Sequence, residues 1–385
     1  MNRSEVSPGA GRRLPRPGRA GRVVVAVALA AGVVLAGLGT YDYVQSEFGG
    51  TTLVILAYSS LFNGVCGGVP AFSTVFGAFA SAHGIRIEVE CPAGTLYSSL
   101  VNQTSAPVAD LVIGLDEITA PQAEAAHLLL PYAPASLANV SPALVAGISP
   151  DHGVVPYEYG YLAIDYNESF YNATSGAVAH LTFPELANNS SWARALLVED
   201  PEVDITGEEF LAWQIEYYEH VLHQDWTTFW TDAAPGAYPL ADSWADAFSE
   251  FSQAVQPMVV SYSTDPAYAA YYGEPPTFNA TGSWWNGTQY GWQAIYGIGI
   301  VNGTRHLALD QEFENWFLSG TVQAEIPTNE WEYPANGTVP LPSVYADAIP
   351  PGAFVALNGY TTPAEVGASI GGWVHTWKTL APGGG

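Results

Sequence analysis

Thr52–Ala57 (TLVILA) is a continuous apolar run rich in β-branched residues, which predicts a buried strand. A helical pattern follows over Val69–His83, and two further strand patterns cover Ile85–Glu90 and Ala109–Gly114 (ADLVIG). Strands that alternate with helices are typical of an α/β fold, and we expect mixed, mostly parallel sheets.

The rest of the chain continues this alternation. Val154–Tyr166 (VVPYEYGYLAIDY) is extended, aromatic and long enough to cross between two lobes. Further strands are expected at Val255–Tyr262 and Tyr290–Val301, and helices at Gly207–His223, His306–Leu318 and Pro363–Leu380. A chain of 385 residues with 48% hydrophobic side chains favours two compact units. We expect lobe 1 to comprise 52–158 and 302–385, lobe 2 to comprise 159–301, and a ligand to bind between them.

The N-terminus has the pattern of an export or anchoring signal. Six of the ten basic residues lie in 1–22, a predicted cytoplasmic segment, and 23–39 is uncharged and mostly apolar. That order is typical of a signal peptide or of an N-terminal membrane anchor, and both remain open. With 40–51 as a tether, the rest of the protein is expected outside the cytoplasm at the cell surface, membrane-anchored or secreted.

Asparagine sequons and cysteines favour the same compartment. Ten of the 14 asparagines after residue 44 begin N-x-[ST], against about two expected by chance, which predicts a glycosylated exterior. These are Asn102, Asn139, Asn167, Asn172, Asn188, Asn189, Asn279, Asn286, Asn302 and Asn336. Cys66 and Cys91 are the only cysteines, and a disulfide between them suits this location, with two buried thiols as the alternative.

The charge of the folded part is strongly negative. Beyond residue 22, 36 acidic residues face only Arg86, Arg194, Arg305 and Lys378, a net charge near −32 with histidine neutral. Such a surface repels nucleic acid and anionic lipid. It also offers little to hold a phosphate ester, so a cationic ligand is the compatible kind.

Two patterns that resemble catalytic or metal sites do not fit those roles. Gly367–Gly371 matches GxSxG, but the motif lies in a predicted helix and has only His375 downstream. His220 and His223 lack the HExxH spacing of a zinc site. We therefore expect neither an enzyme nor a resident cofactor or metal.

Aromatic and hydroxylated side chains cluster where the predicted strands end. At the carboxyl ends of strands, where crevices form in α/β folds, such clusters favour a planar ligand. They are Tyr58-Ser59-Ser60, Tyr157–Tyr161, Trp244, Tyr262–Tyr268 and Trp331–Tyr333.

The order and spacing of seven motifs resemble the thiamine-binding proteins of ABC importers, over about 52–380. The motifs VVSYSTDPAY at 259–268 and IPTNEWEYP at 326–334 are the most specific for thiamine. The others are LVILAYSSLF at 53–62, ADLVIGLDE at 109–117, VPYEYGYLAIDY at 155–166, EDP at 199–201 and SWADAF at 243–248.

This resemblance implies a type II periplasmic-binding-protein fold, a monomer that closes on thiamine, and an ABC permease as partner. Asp204 and Ile205 replace a Ser-Thr contact pair, Ala93 stands where relatives have Asp, and Glu202 stands where some have Arg. The positions that match ligand contacts are Tyr58, Ser59, Ser60, Gly94, Trp244, Tyr262, Ser263, Thr264, Asp265, Tyr268 and Trp331.

These residue types suit thiamine, which joins a flat aminopyrimidine to a permanently cationic thiazolium. Glu158, Asp204 or Asp265 can offset the thiazolium charge, and the scarcity of basic residues predicts a preference for free thiamine over its phosphates. Three alternatives stay open: a receptor of the same fold for another ligand such as ferric iron, a glycosylated surface protein with a structural role, and a thiamine-degrading enzyme with a nucleophilic cysteine.

Overall fold

The computed structural model describes residues 41–43, 50–64, 70–92, 94–171, 175–233, 238–273 and 278–380. The predictions for 1–22, 23–39, Cys66 and Asn172 concern positions outside these ranges, so the disulfide stays a prediction. Among the described residues, no helix has the length and apolar character needed to cross a membrane. The expected tether contributes one short strand, Tyr41–Tyr43.

The first sheet is built on the strand predicted at Thr52–Ala57, which is confirmed. This strand pairs in parallel with Arg86–Glu90 on one side and Leu111–Leu115 on the other. The remaining strands pair antiparallel in the same sheet. They are Tyr41–Tyr43, Leu129–Leu130, Val155–Tyr159, Ile295–Val301 and Tyr333–Pro334.

A second sheet forms the core of the other lobe. Its central strand, Met258–Tyr262, runs antiparallel to Leu162–Asn167 and parallel to Leu196–Glu199. Phe278–Thr281 and Leu240–Ala241 form its edges. A third, smaller sheet contains Ser283–Trp285, Thr288–Gly291 and Val355–Ala356.

Helices pack around these sheets. The α-helices are Leu61–Gly64, Pro70–His83, Leu96–Asn102, Thr119–Ala125, Pro142–Ile148, Ser175–Val178, Phe183–Asn188, Ser190–Ala193, Ile205–Glu216, Thr227–Asp232, Trp244–Ser252, Asp265–Tyr272, Leu307–Phe317, Gly320–Gln323, Ile326–Asn329 and Pro363–Leu380. A π-helical turn, Tyr217–Leu222, extends the helix that begins at Ile205. Short 3₁₀ turns lie at Ala135–Asn139, Ser343–Ala346, Pro351–Ala353 and Leu357–Gly359.

The chain crosses between the two main sheets at two places. Val155–Tyr159 lies in the first sheet and Leu162–Asn167 in the second, so Gly160 and Tyr161 form one crossover, as the extended pattern at 154–166 predicts. The return passes through the small sheet to Ile295–Val301.

Three expectations need correction. The sheets are mixed, but antiparallel pairs outnumber parallel ones among the described strands, because Ile295–Val301 runs against both of its main neighbours. The same strand belongs to the first sheet, although the expected boundary at 301 assigns it to lobe 2. Helix Pro363–Leu380, expected in lobe 1, buries Val366, Ile370 and Trp377 in the core of the second lobe.

The hydrophobic cores follow from strand alternation. Leu53 and Ile55 point into the core on one face of the first sheet, whereas Leu56 belongs to the core on the opposite face. In the second lobe, Phe183, Phe210 and neighbouring aromatic side chains form a separate core. The two main sheets therefore pack against separate cores.

The sequons differ in accessibility. Asn336 is 1% exposed, and its side-chain amide donates to the Leu318 carbonyl at 3.0 Å, so this predicted glycosylation site is closed in the folded protein. Asn167 is half-buried, and the other sequon asparagines within the described residues are exposed.

Candidate ligand-binding site

Tyr58 is held at the end of the first central strand by a network of hydroxyl and carboxyl groups. Its hydroxyl lies 2.7 Å from the Tyr157 hydroxyl, 3.1 Å from Glu158 Oε1 and 2.9 Å from Glu330 Oε2. The other oxygen of Glu330 accepts the backbone N–H of Phe62. These contacts fix the phenol ring, because turning it breaks several hydrogen bonds together.

Gly114 makes room for the Tyr58 ring. A Cβ added at this glycine would lie 2.2 Å from Tyr58 Cδ1, and its φ of +109° is one that other residues rarely adopt. The glycine therefore serves the site indirectly, by letting Tyr58 lie across the neighbouring strand.

The second lobe contributes Trp244 and Tyr262, whose ring centroids lie 6.1 Å apart at 61°. The Trp244 indole N–H donates to Ser261 Oγ at 2.9 Å, and Ser261 Oγ in turn donates to Asp265 Oδ2 at 2.5 Å. Asp265 Oδ2 also accepts the Tyr262 backbone N–H at 3.1 Å. One carboxylate thus positions both aromatic residues.

Asp204 caps the helix Ile205–Glu216. One oxygen accepts the Thr206 N–H at 2.9 Å, and the other accepts the Trp244 N–H at 3.2 Å. Both oxygens are used within the protein, so Asp204 acts on Trp244 through its backbone.

A hydroxyl pair joins the two lobes at the site. The hydroxyl of Tyr262, from the second sheet, lies 2.7 Å from that of Tyr296, from the first. The Tyr296 hydroxyl also donates to Glu209 Oε2 at 3.2 Å, and its ring centroid lies 6.3 Å from that of Tyr58. Rings from both lobes therefore form one continuous aromatic group, Tyr58, Tyr296, Tyr262 and Trp244, which we call the central aromatic group.

A second group of rings surrounds Trp331. Its ring centroid lies 5.3 Å from that of Tyr268, 5.1 Å from that of Tyr271 and 5.8 Å from that of Tyr272. Trp331 has a φ of +60°, is 6% exposed, and its indole N–H has no partner among the described residues. A bulky residue in this backbone region stores strain of about 1–3 kcal/mol, which is typical of functional positions.

Burial shifts the acid–base behaviour of the carboxyl groups around both aromatic groups. It raises the pKa of Glu158 to about 8 and raises the pKa values of Glu209, Glu330 and Glu332 well above their usual range. The neighbouring carboxylates contribute to the shifts of the last three. In the described part of the chain, no arginine or lysine offsets these effects at the four glutamates, so the unliganded site holds them as neutral carboxyl groups near pH 7, and a cation arriving beside them favours their ionised form.

Five of the eleven ligand-contact positions expected from the resemblance belong to these two groups of rings. Tyr58 lies beside Glu158, Trp244 beside Tyr262 and Asp265, and Tyr268 beside Trp331. Ser263 and Thr264 are fully buried at the start of the Asp265–Tyr272 helix, and neither hydroxyl has a partner among the described residues. Ser59, Ser60 and Gly94 are exposed, and their contact roles stay predictions.

The sequence reasoning missed several residues that build the site. Glu330 and Glu332 flank Trp331 inside a motif already singled out, so their charge was a signal within reach. Tyr296 lies in an apolar run that indicates only burial, and its hydroxyl contact depends on the other lobe. The GxSxG serine, Ser369, lies inside the Pro363–Leu380 helix as predicted, and not at a strand-to-helix turn.

Comparison with known proteins places the fold. No family model matches the chain. It is 24% identical over 270 residues to the thiamine-binding periplasmic protein of Escherichia coli K12, covering 70% of this chain and 76% of that protein. The thiamine-binding periplasmic protein of Brucella suis biovar 1 is 27% identical over 284 residues, covering 73% and 78%.

Solved structures agree with this. A periplasmic thiamin-binding protein superposes with a TM-score of 0.69 at 21% identity, covering 86% of this chain and 96% of that one. The periplasmic binding protein AfuA of Actinobacillus pleuropneumoniae, with fructose-6-phosphate bound, gives 0.71 at 13% identity, covering 86% and 99%. Iron-bound HitA from Pseudomonas aeruginosa gives 0.66 at 15%, covering 85% and 99%. The predicted type II periplasmic-binding-protein fold is confirmed, as is the resemblance to thiamine-binding relatives.

Proposed function

We propose that this receptor captures thiamine outside the cytoplasm and delivers it to the permease of an ABC importer. The named relatives support this ligand, because proteins similar over about 70% of the chain bind thiamine. Membrane anchoring or secretion, surface glycosylation and a monomeric state belong to the same proposal.

The observation that carries the proposal is the central aromatic group that spans both lobes. Tyr58 and Tyr296 belong to the lobe of the first sheet, and Tyr262 and Trp244 belong to the lobe of the second. The hydroxyl pair of Tyr262 and Tyr296 connects the two halves of the group. Opening the lobes separates these rings, and closing them on a planar ligand lets the rings stack on both of its faces. Each aromatic pair contributes about 0.5–1.5 kcal/mol beyond area burial.

Charge selects among planar ligands. The buried carboxyl groups favour a cation, and a desolvated cation over an aromatic face gains about 2 kcal/mol. Thiamine combines a flat ring with a fixed positive charge, so it meets both requirements of this site.

The same charge distribution disfavours phosphate esters. Lys378 Nζ lies 2.7 Å from Glu202 Oε1, so the charge of this lysine is already neutralised within the protein. Free thiamine is therefore the expected ligand ahead of its mono- and diphosphate.

Ferric iron is a second candidate because two tyrosine hydroxyls and two carboxyl groups meet at one point. The Tyr58 and Tyr157 hydroxyls lie 2.7 Å apart, with Glu158 and Glu330 beside them. However, burial and these carboxylates raise the pKa values of both tyrosines well above 10, which opposes the phenolate form that binds iron. Tyr157 is also fully buried in a hydrophobic core. The arrangement fits a structural network better than a metal site.

Tryptophan fluorescence and calorimetry on the purified full chain test the proposal. Thiamine is expected to quench tryptophan emission and to bind one molecule per chain, whereas ferric citrate is expected to do neither. Quenching by ferric citrate without any response to thiamine would refute thiamine as the ligand and favour ferric iron.

A further inference from the structure

Glu332 carries a buried carboxyl group, and one of its two oxygens has no partner in the part of the chain that the structure describes. The side chain is 5% exposed, and Oε2 makes no hydrogen bond to any described residue. Burial raises the pKa of Glu332 well above its usual range, so the group is protonated near pH 7 until a cation binds beside it and favours its ionised form.

The backbone places Glu332 at the crossover between the lobes. Tyr333 pairs with Tyr159 and Pro334 with Glu158, which brings residue 332 opposite Gly160. A Cβ added at Gly160 would lie 2.0 Å from Glu332 Oε2, so the carboxylate rests directly on the glycine. It therefore lies where the two lobes meet.

Other unpartnered polar groups lie close by. The Ser263 backbone N–H donates to the Tyr161 carbonyl at 2.9 Å, next to Gly160, and the buried Ser263 hydroxyl has no partner. The neighbouring Trp331 indole N–H and Thr264 hydroxyl are also buried and unpartnered. Several buried donors and acceptors in the segments next to this crossover therefore have no partner among the described residues, which fits a site for a polar ligand.

Three other acidic candidates are already engaged. Asp204 accepts two backbone N–H groups, and Asp265 accepts from Ser261 and Tyr262. Glu330 uses both oxygens on Phe62 and Tyr58. Glu158 Oε2, Glu209 Oε1 and both oxygens of Asp165 also lack a partner among the described residues. Of these groups, Glu158 lies on the strand that pairs with the residues directly after Glu332.

The charge of Glu332 also acts on both lobes. It contributes to raising the pKa of Tyr262 in the second lobe and that of Tyr159 in the first. The carboxylate is thus within electrostatic reach of the central aromatic group.

We infer that Glu332, supported by Glu158, is the counter-charge that makes this receptor select a cationic ring over a neutral ring of the same shape. Glu332 is a specificity-determining residue, and this role rests on the proposed function. Its negative charge replaces the hydration that the cation loses on entering the closed site.

The test compares thiamine with a neutral isostere in which carbon replaces the thiazolium nitrogen. Calorimetry measures both ligands on the purified full chain, on Glu332→Gln and on Glu314→Gln. Glu314 is a matched control, because it is also buried with an unpartnered Oε2, but its electrostatic neighbour is Asp310 on its own helix.

The wild type is expected to prefer thiamine by about tenfold or more, and Glu332→Gln to lose most of that preference while binding the isostere as before. Glu314→Gln is expected to keep it. Equal wild-type binding of the two ligands, or a preference that survives in Glu332→Gln, overturns the inference and leaves the proposed function standing. If the wild type binds neither, both are overturned.

A second measurement does not depend on the variant folding. When thiamine binds beside a carboxyl group that is protonated at pH 7, the cation favours ionisation, and the carboxyl group releases its proton to the buffer. The neutral isostere does not favour ionisation, so its binding releases no proton. Wild-type binding heats in two buffers of different ionisation enthalpy should therefore differ for thiamine alone. The same proton release with both ligands, or with neither, contradicts the inference.

Discussion

Gly160→Ala offers a way to move one carboxylate without changing its chemistry. The added Cβ would lie 2.0 Å from Glu332 Oε2 and 2.7 Å from Cδ, whereas non-bonded carbon and oxygen come no closer than about 3.3 Å. The carboxylate must therefore retreat by about 1.3 Å. In an effective dielectric of about 20, moving a unit charge from about 4 Å to about 5.3 Å from a cation weakens the attraction by about 1 kcal/mol.

We therefore expect Gly160→Ala to weaken thiamine binding by about fivefold in calorimetry and to leave the neutral isostere unaffected by this electrostatic change. The unliganded protein should also lose about 1–3 kcal/mol of stability from overpacking, measured by denaturant unfolding.

Gly297→Ala is the matched control. Its Cβ would lie 2.2 Å from Val154 Cγ1 and 3.0 Å from Ile148 Cδ1, so it overpacks the same sheet against apolar atoms. It should lose similar stability but keep wild-type affinity for thiamine. The reasoning is refuted if Gly160→Ala binds thiamine as tightly as wild type, or if it weakens both ligands equally.

Three further results are expected. Burial raises the pKa of Glu158 from 4.5 to about 8. Its contribution to stability is therefore complete below about pH 4.5 and is lost as the pH rises through 8, so the melting temperature of the unliganded protein should fall over that range. Glu158→Gln should reduce the slope of melting temperature against pH. A slope that Glu158→Gln leaves unaltered would argue against this assignment. Glu202→Arg removes the partner of Lys378 and adds a cation, so calorimetry should show tighter binding of thiamine diphosphate and little change in the affinity for thiamine. Unchanged binding of the diphosphate would mean that residue 202 does not contact the ligand. Glycopeptide mass spectrometry should find Asn336 unmodified while exposed sequons such as Asn102 carry glycan, and a glycan on Asn336 would mean that modification precedes folding there.

Local sequence patterns predicted the elements of this fold well where burial of apolar side chains alone determines the pattern. Thr52–Ala57 is apolar at consecutive positions because both faces of the strand are covered, and Pro363–Leu380 carries a helical pattern that the structure reproduces. The direction of Ile295–Val301 was not predictable in this way, since an apolar run reports burial and not strand orientation. Its assignment to the first sheet depends on the second crossover.

The site was predictable in its residue types but only partly in its connections. Trp244, Tyr262 and Trp331 were recognisable from their motifs. The sequence offers Asp204 and Asp265, beside Glu158, as alternative counter-charges, but the roles of these two aspartates depend on backbone N–H groups that only the folded chain brings to them. The place of Glu332 against Gly160 depends on strand pairing, which the local sequence does not reveal.

Calorimetric titration of the purified full chain with thiamine tests the central claim most directly. The account predicts one thiamine bound per chain with a Kd of about 1 µM or tighter, and weaker binding of thiamine diphosphate. No heat of binding with thiamine, in a chain shown to be folded by circular dichroism, would contradict it.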